Sequence, residues 1–169
     1  MTAINHAVGG TALVGSKENN ALFPNYRDWI AANSDYILVQ IGCNDGGSWN
    51  QNDDDESTDT SKFKGAWNTF LQNLKIEYPQ AKKAIIMPYY WNTNGGRDVR
   101  VQWMKTRCNK YNLEYIDGVE SLGFSPSTHI QYFNIESGVP SPYHFSSIGH
   151  QRASYVYEQF LKTRVQFSK

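Results

Sequence analysis

Short apolar segments rich in β-branched or aromatic residues alternate along the chain with longer segments whose apolar residues recur at helical spacing. The predicted strands are an opening segment up to Val8 and residues 36–41, 83–87 and 113–116. Strands that alternate with helices are typical of successive βα units, which build a parallel sheet with helices on both faces. We therefore predict an α/β fold of three layers, α/β/α, with a mainly parallel sheet.

Helices are predicted between and after these strands. Apolar residues recur every three or four positions in residues 63–74 and 101–111, so each segment has one apolar stripe that can pack on the sheet. A short helix is predicted over residues 23–32, and a last one over residues 147–161.

Residues 46–61 separate a predicted strand from a predicted helix and are polar and acidic, with Asp53, Asp54, Asp55 and Glu56 at their centre. These carboxylates lack the spacing and the glycine of an EF-hand loop, so a solvated surface loop is favoured over a calcium site. We predict no metal and no cofactor.

The 169 residues are enough for one compact domain, and we predict a single domain over residues 1–169. Sixteen basic and sixteen acidic side chains balance, which removes the positive surface that nucleic-acid binding normally requires. No apolar run approaches a membrane span, and the first residues lack the features of a signal peptide, so the compartment stays unknown. Cys43 and Cys108 fit no metal-binding pattern, and either a disulfide or two thiols would be compatible with their spacing.

The carboxyl ends of parallel strands form the ligand-binding edge of an α/β sheet, so chemistry is expected in the segments that follow the strands. Three such segments have unusual sequences. The glycine block is residues 5–11 (NHAVGGT), the asparagine block is residues 42–45 (GCND), and the histidine block is residues 144–150 (HFSSIGH).

Each block contains a residue type that suits acyl-transfer chemistry. Paired glycines allow a backbone N–H to approach a ligand closely. Asn44 can direct its amide N–H at a developing oxyanion, and Asp45 can hold the loop by accepting backbone N–H bonds, with an ordinary Asx turn as the alternative. His144 lies in a predicted loop just before the last predicted helix and suits a general base, because an imidazole titrates near neutral pH. His150 lies on that helix and is interpreted as structural.

Together the three blocks resemble those of the SGNH (GDSL-type) hydrolase superfamily, named after the Ser, Gly, Asn and His residues of its active site. They occur in the family's order, as N-x-A-V-G-G, G-x-N-D and H-x-x-x-x-G-H. The resemblance implies a flavodoxin-like SGNH hydrolase fold and a serine esterase or deacetylase that acts on an acylated carbohydrate or another small polar ester. It also implies that the N–H of Gly10 and the side chain of Asn44 form the oxyanion hole, and that His144 is the catalytic base.

Two features of the family are absent from this sequence. No G-D-S or G-x-S-x-G sequence occurs, so no serine is assigned as the nucleophile; Ser48, next to the asparagine block, fits a polar loop better. The family's Asp three residues before the histidine is replaced by Ser141, whose hydroxyl can orient His144 but has no negative charge.

In the family, the serine block ends a first strand that lies inside the sheet, and the sequence has no counterpart of that strand. Its loss would leave two rows of backbone groups unpaired. Either the chain is a fragment completed from elsewhere, or another strand fills the gap, or strand and activity have been lost together. The nucleophile is then expected from outside this chain, and a complementing N-terminal segment or a homo-oligomer are the protein partners considered.

A catalytically inactive SGNH-like module that binds carbohydrate or serves in assembly is the alternative function. Tyr89, Tyr90 and Trp91 follow a predicted strand and would then contact the substrate as a sugar-stacking platform, with hydrophobic packing as the other interpretation. A flavodoxin-like nucleotide binder shares the architecture, but the chain has no glycine-rich phosphate loop that opens a helix.

Overall fold

The computed structural model describes residues 11–14, 21–45, 47–89 and 96–164. Their elements, in chain order, are α1 (Leu22–Trp29), β1 (Tyr36–Gln40), α2 (Phe63–Glu77), β2 (Lys82–Met87), α3 (Gly96–Lys110), β3 (Glu114–Asp117), α4 (Gly118–Leu122), a 3₁₀ turn (Ile130–Tyr132), β4 (Phe133–Glu136), β5 (Val139–Phe145) and α5 (Ser147–Thr163). The alternation of strands and helices from β1 to β3 confirms the predicted α/β class. None of the helices in the described ranges is long and apolar enough to cross a bilayer.

The chain divides into two compact units. Unit 1 comprises Met1–Ile37 and Ile41–Lys82, and unit 2 comprises Leu38–Gln40 and Lys83–Lys169. The single domain expected from the chain length stays a prediction.

A three-stranded sheet has the strand order β1-β2-β3, and β2 pairs with β3 in parallel. Residues 84–87 of β2 are buried one after another, as expected for a strand covered on both faces. The strands predicted at residues 36–41, 83–87 and 113–116 are confirmed to within one residue at each end. The predicted opening strand up to Val8 lies outside the described residues.

Helix α2 provides the core of unit 1. The fully buried residues of its apolar stripe are Phe63, Trp67, Phe70, Leu71 and Leu74. Tyr26 of α1 packs edge-on against Phe70, with ring centroids 5.2 Å apart, and its hydroxyl donates to Glu77 Oε1 over 3.0 Å. The pattern of apolar residues in this helix therefore predicted the core correctly.

Helix α1 is shorter than the predicted segment, residues 23–32. Phe23 has an extended backbone (φ −96°, ψ 126°) because it precedes a proline, and the helical conformation is disfavoured for the residue before a proline. Ile30 is extended as well, so the helix ends at Trp29.

The acidic loop that precedes α2 is organised around an ammonium group. Lys64, in the first turn of α2, is only 2% exposed. Its Nζ donates to the carbonyl oxygens of Gln51 (2.9 Å) and Asp53 (2.7 Å) and to the carboxylate of Asp55 (2.6 Å). It also lies 5.4 Å from the centroid of the Trp49 ring. Oxygen atoms of the predicted surface loop thus converge on a lysine.

The largest difference from the sequence prediction is an antiparallel hairpin in unit 2, formed by β4 and β5. Its turn residues, Ser137 (φ 52°) and Gly138 (φ 81°), both have positive φ, as the centre of a type I′ turn requires. His144 was predicted in a loop, but Phe145 pairs with Phe133 and His144 therefore lies on β5. Helix α5 begins at Ser147, as predicted.

The core beside this hairpin is rich in aromatic side chains. The buried residues of this aromatic cluster are Tyr89, Leu122, Phe124, Phe133, Phe145 and Ala153. Phe133 and Phe145 pair across β4 and β5 with ring centroids 5.6 Å apart. The cluster therefore anchors one end of the hairpin and the helix that follows it.

Replacement of Lys64 by Met is expected to destabilise the protein by about 2–3 kcal/mol, because two carbonyl groups and a carboxylate lose their charged donor. Urea denaturation followed by tryptophan fluorescence measures the change. Lys75→Met, at an exposed position of the same helix, serves as the matched control and should change stability by less than about 0.5 kcal/mol. Equal midpoints for the two variants would contradict the organising role of Lys64.

Candidate active site

The asparagine block begins where β1 ends, at a glycine with an unusual backbone conformation. Gly42 has φ 107°, a value that residues with a Cβ rarely adopt. After this turn, the side chain of Asn44 donates from Nδ2 to the carbonyl oxygen of Thr11 over 3.0 Å. The asparagine block therefore contacts the last residue of the glycine block.

The neighbouring Asp45 binds the same segment through its carboxylate. Oδ2 accepts from the backbone N–H of Leu13 (2.9 Å), and Oδ1 accepts from that of Val14 (3.0 Å). Asp45 is only 1% exposed, so water does not compete for these bonds. Ser48, considered above as a loop serine, lies with Oγ 3.3 Å from Asp45 Oδ1. Asp45 accepts backbone N–H bonds as expected, but it fixes the chain that leaves the glycine block, whereas the sequence suggested that it would hold its own loop.

The predicted oxyanion donors can be located only in part. Asn44 is exposed, and one of its two amide N–H groups serves Thr11, so the chemistry of a carboxamide leaves a second N–H for an oxyanion. Gly10 lies outside the described residues. The oxyanion role of both residues stays a prediction.

Within unit 2, Ser146 of the histidine block connects the start of α5 to the 3₁₀ turn. Its backbone N–H donates to the carbonyl of Tyr132 (2.9 Å) and its hydroxyl to that of Gln131 (2.6 Å). The same hydroxyl caps α5 by accepting from the N–H of Gly149 over 3.2 Å.

Gly149, the glycine of the H-x-x-x-x-G-H pattern, allows α5 to approach this turn closely. A Cβ on Gly149 would lie 2.0 Å from the carbonyl oxygen of Tyr132. No side chain fits at that distance, so the pattern's glycine is explained by packing. This contact between Gly149 and Tyr132 holds the start of α5 next to the end of β5.

The ring of His144 lies next to a carboxylate that the sequence patterns did not indicate. Nδ1 of His144 is 2.5 Å from Oε1 of Glu136. Ser141, the predicted orienter of the histidine, has its hydroxyl 3.5 Å from the same nitrogen and accepts from the backbone N–H of His144 over 3.2 Å. Ser141 therefore contacts His144, but Glu136 makes the shorter contact with its ring.

Hydrogen bonds from His144 and, to a smaller extent, from Ser141 hold the pKa of Glu136 below its usual range. Because the folded-state pKa is lowered, Glu136 is ionised at neutral pH, and the pairing is lost only as the pH falls through that lowered value. The sequence did contain a sign of this arrangement. Ser137 and Gly138 are a turn-favouring pair that follows the alternating residues 133–136, which is typical of a hairpin that would return the chain past Glu136.

The structure shows hydrophobic packing for Tyr89, one of the three aromatic residues considered for substrate contact. It is 3% exposed, its ring lies 4.4 Å from that of Phe145, and its hydroxyl donates to the carbonyl of Phe124 over 2.5 Å. The ring is thus enclosed in the aromatic cluster. Tyr90 and Trp91 lie outside the described residues.

Neither cysteine forms a disulfide. Cys108 is fully buried on α3, and burial raises the pKa of its thiol to about 12. It is therefore protonated at neutral pH and unsuited to act as a nucleophile.

No protein-family model and no curated protein matches this sequence. Solved structures do resemble it. A protein from Lactobacillus plantarum is 18% identical, with a TM-score of 0.74 over 92% of this chain and 78% of that one. A protein from Bacteroides ovatus that bears the name GDSL-like lipase is 17% identical, with a TM-score of 0.61 over 90% of this chain and 68% of that one. Another GDSL-like lipase by name, from Parabacteroides merdae, is 12% identical, with a TM-score of 0.52 over 74% of this chain and 59% of that one.

These similarities confirm the predicted fold, since the chain has the α/β architecture of proteins named as GDSL-like lipases. At such low identity they show the fold alone.

Asp45→Ala is expected to destabilise the protein by about 3 kcal/mol, because one buried and one partly buried N–H group lose a charged acceptor. Amide hydrogen exchange should accelerate at Leu13 and Val14 in particular. Asp28→Ala, at an exposed position of α1, is the control and should leave both amides as in the parent protein. Unchanged protection at these two amides in Asp45→Ala would refute the clamp.

Gly149→Ala is expected to destabilise the protein by about 1–3 kcal/mol, because the added methyl group overlaps a backbone carbonyl that cannot move aside easily. This outweighs the gain of about 1 kcal/mol that Ala brings to an ordinary helix position. Gly47→Ala provides the comparison, since its Cβ would meet no atom within 4 Å. Thermal denaturation distinguishes the two, and a Gly149→Ala variant as stable as the parent would contradict the close approach of α5.

Proposed function

We propose that this chain belongs to the SGNH-type hydrolases and takes part in serine ester hydrolysis. In this proposal it provides an oxyanion donor, Asn44 with Gly10, and a general base, His144. Because the 169 residues contain no G-D-S or G-x-S-x-G sequence, the nucleophilic serine is supplied from outside them. The fold shared with GDSL-like lipases supports a hydrolase.

The observation that carries the proposal is the contact between two of the sequence blocks in unit 1. Asn44 and Asp45 bind Thr11, Leu13 and Val14, which end or follow the glycine block. Hydrogen-bond donors stabilise an oxyanion only when they are held in place before the reaction. The buried carboxylate of Asp45 provides such support beside the exposed amide of Asn44.

The proposed chemistry assigns a separate task to each residue. Asn44 and the N–H of Gly10 would donate to the oxygen that becomes negatively charged as the ester carbonyl is attacked. His144 would remove the proton of the nucleophile and later return it to the leaving alcohol. Both Asn44 and His144 are solvent-exposed, which suits a small polar ester or an acylated carbohydrate better than a lipid.

The alternative of an inactive carbohydrate-binding module gains no support from the described residues. Its platform needed exposed aromatic rings, and Tyr89 is enclosed in the aromatic cluster. We therefore retain the esterase or deacetylase as the proposed function, and the module as the outcome expected if no ester is hydrolysed.

Asn44→Ala is expected to lower kcat for a small acetyl ester by about 100- to 1000-fold with little change in KM, because the lost donor acts mainly in the transition state. The measurement uses the protein or complex that contains this chain and its nucleophile, with p-nitrophenyl acetate and an acetylated oligosaccharide as substrates. Covalent labelling by a fluorophosphonate probe tests independently whether a reactive serine nucleophile is present.

Asn109→Ala, at an exposed position of α3, is the matched control and should retain full activity. The catalytic proposal fails if the natural protein hydrolyses neither ester and is not labelled by the probe. An Asn44→Ala variant that is stable and fully active would remove Asn44 from the proposed mechanism.

A further inference from the structure

A glutamate lies where the sequence lacks an acid for the histidine. Glu136 Oε1 is 2.5 Å from His144 Nδ1, whereas the hydroxyl of Ser141, three residues before the histidine, is 3.5 Å from that nitrogen. We propose that Glu136 is the positioning residue of His144 and replaces, from another strand, the carboxylate that Ser141 does not provide. This inference rests on the esterase function proposed above.

The hairpin brings the two side chains together, although the register of its strands shifts between Phe133 and Ile135. Glu136 pairs with Val139 across the two-residue turn, and Phe133 pairs with Phe145 at the other end. Phe145, the residue after His144, is buried in the aromatic cluster together with Phe133. The backbones that present Glu136 and His144 are therefore held at both ends of the hairpin.

Ser141 supports both partners. It is 1% exposed, and its Oγ accepts from the backbone N–H of His144 over 3.2 Å. Its hydroxyl also hydrogen-bonds to the carboxylate of Glu136, which adds to the lowering of the Glu136 pKa. A serine at this position thus fits a histidine that is paired with an acid from elsewhere.

The pairing determines which nitrogen of His144 reacts. When Nδ1–H donates to the Glu136 carboxylate, the lone pair of the neutral imidazole is on Nε2. Nε2 takes the proton of the nucleophile's hydroxyl as that oxygen bonds to the acyl carbon. It then gives the proton to the alcohol oxygen as the ester C–O bond breaks, and water repeats the sequence on the acyl-enzyme. Glu136 remains a carboxylate throughout and stabilises the transient imidazolium.

The test is Glu136→Ala, since alanine neither accepts nor donates a hydrogen bond. We expect kcat to fall about 10- to 100-fold with KM within about twofold, less than the loss for a buried triad acid because the carboxylate is half-exposed. Two-bond ¹H–¹⁵N NMR of the 169-residue chain should show Nδ1 of His144 protonated in the parent. Nδ1–H should be lost in favour of Nε2–H in the variant.

Glu114→Ala is the matched control, because Glu114 is also an exposed strand glutamate. It should leave kcat and the histidine tautomer unchanged. If the parent hydrolyses esters but Glu136→Ala has unchanged kcat or an unchanged tautomer, the inference about Glu136 is overturned and the proposed function stands. If the parent hydrolyses no ester and resists the fluorophosphonate probe, the proposed function fails, and the catalytic role of Glu136 fails with it.

Discussion

The hydrogen bonds between Asp45 and the backbone of Leu13 and Val14 are the constraint on which the candidate oxyanion site depends. They join segments about thirty residues apart, and loop closure over such a distance is entropically costly unless strong contacts offset it. A buried carboxylate with two backbone donors is such a contact, since charge-assisted bonds gain strength where water is excluded. The turn at Gly42 directs Asp45 inward while Asn44 stays at the surface. One short sequence thus separates a structural residue from a residue available for chemistry.

In unit 2, backbone packing likewise separates buried structural residues from an exposed candidate residue, His144. Tyr132 accepts from the N–H of Ser146 and closely approaches Gly149, and both contacts hold the start of α5 in place. Phe145, just before it, is buried in the aromatic cluster. His144 precedes this fixed point and remains 65% exposed at its side chain. The proposed base thus has rigid packing beside its backbone and water around its ring.

The sequence predicted those parts of the fold that depend on local pattern. The strands at residues 36–41 and 83–87 are apolar and β-branched, and the stripe of α2 recurs at helical spacing, so both could be derived without knowledge of tertiary contacts. The hydrogen bonds of Lys64 to the acidic loop could not be predicted, because lysine is usually exposed and only the folded loop brings carbonyl groups to it.

The role of Glu136 was missed because it, too, depends on a contact made only in the folded chain. The family's spacing places the acid at Ser141, and the residues just before the last helix were predicted as a loop, whereas the turn at Ser137 and Gly138 makes a hairpin. The interaction of Glu136 with His144 was therefore hidden by a secondary-structure error and not by a lack of candidate residues.

The exposure of Glu136 determines whether it acts on His144 mainly by its charge or mainly by positioning the ring. Its side chain is 47% exposed, so water screens its charge, and the electrostatic benefit to an imidazolium is smaller than a buried acid would provide. Its main contribution must then be geometric, by fixing the ring and its tautomer. Glu136 can position the His144 ring only if the hairpin is rigid, yet an isolated two-stranded hairpin is marginally stable in water. The aromatic cluster supplies that rigidity through Phe133 and Phe145, so the precision of the proposed base depends on packing below the hairpin as much as on the carboxylate beside it.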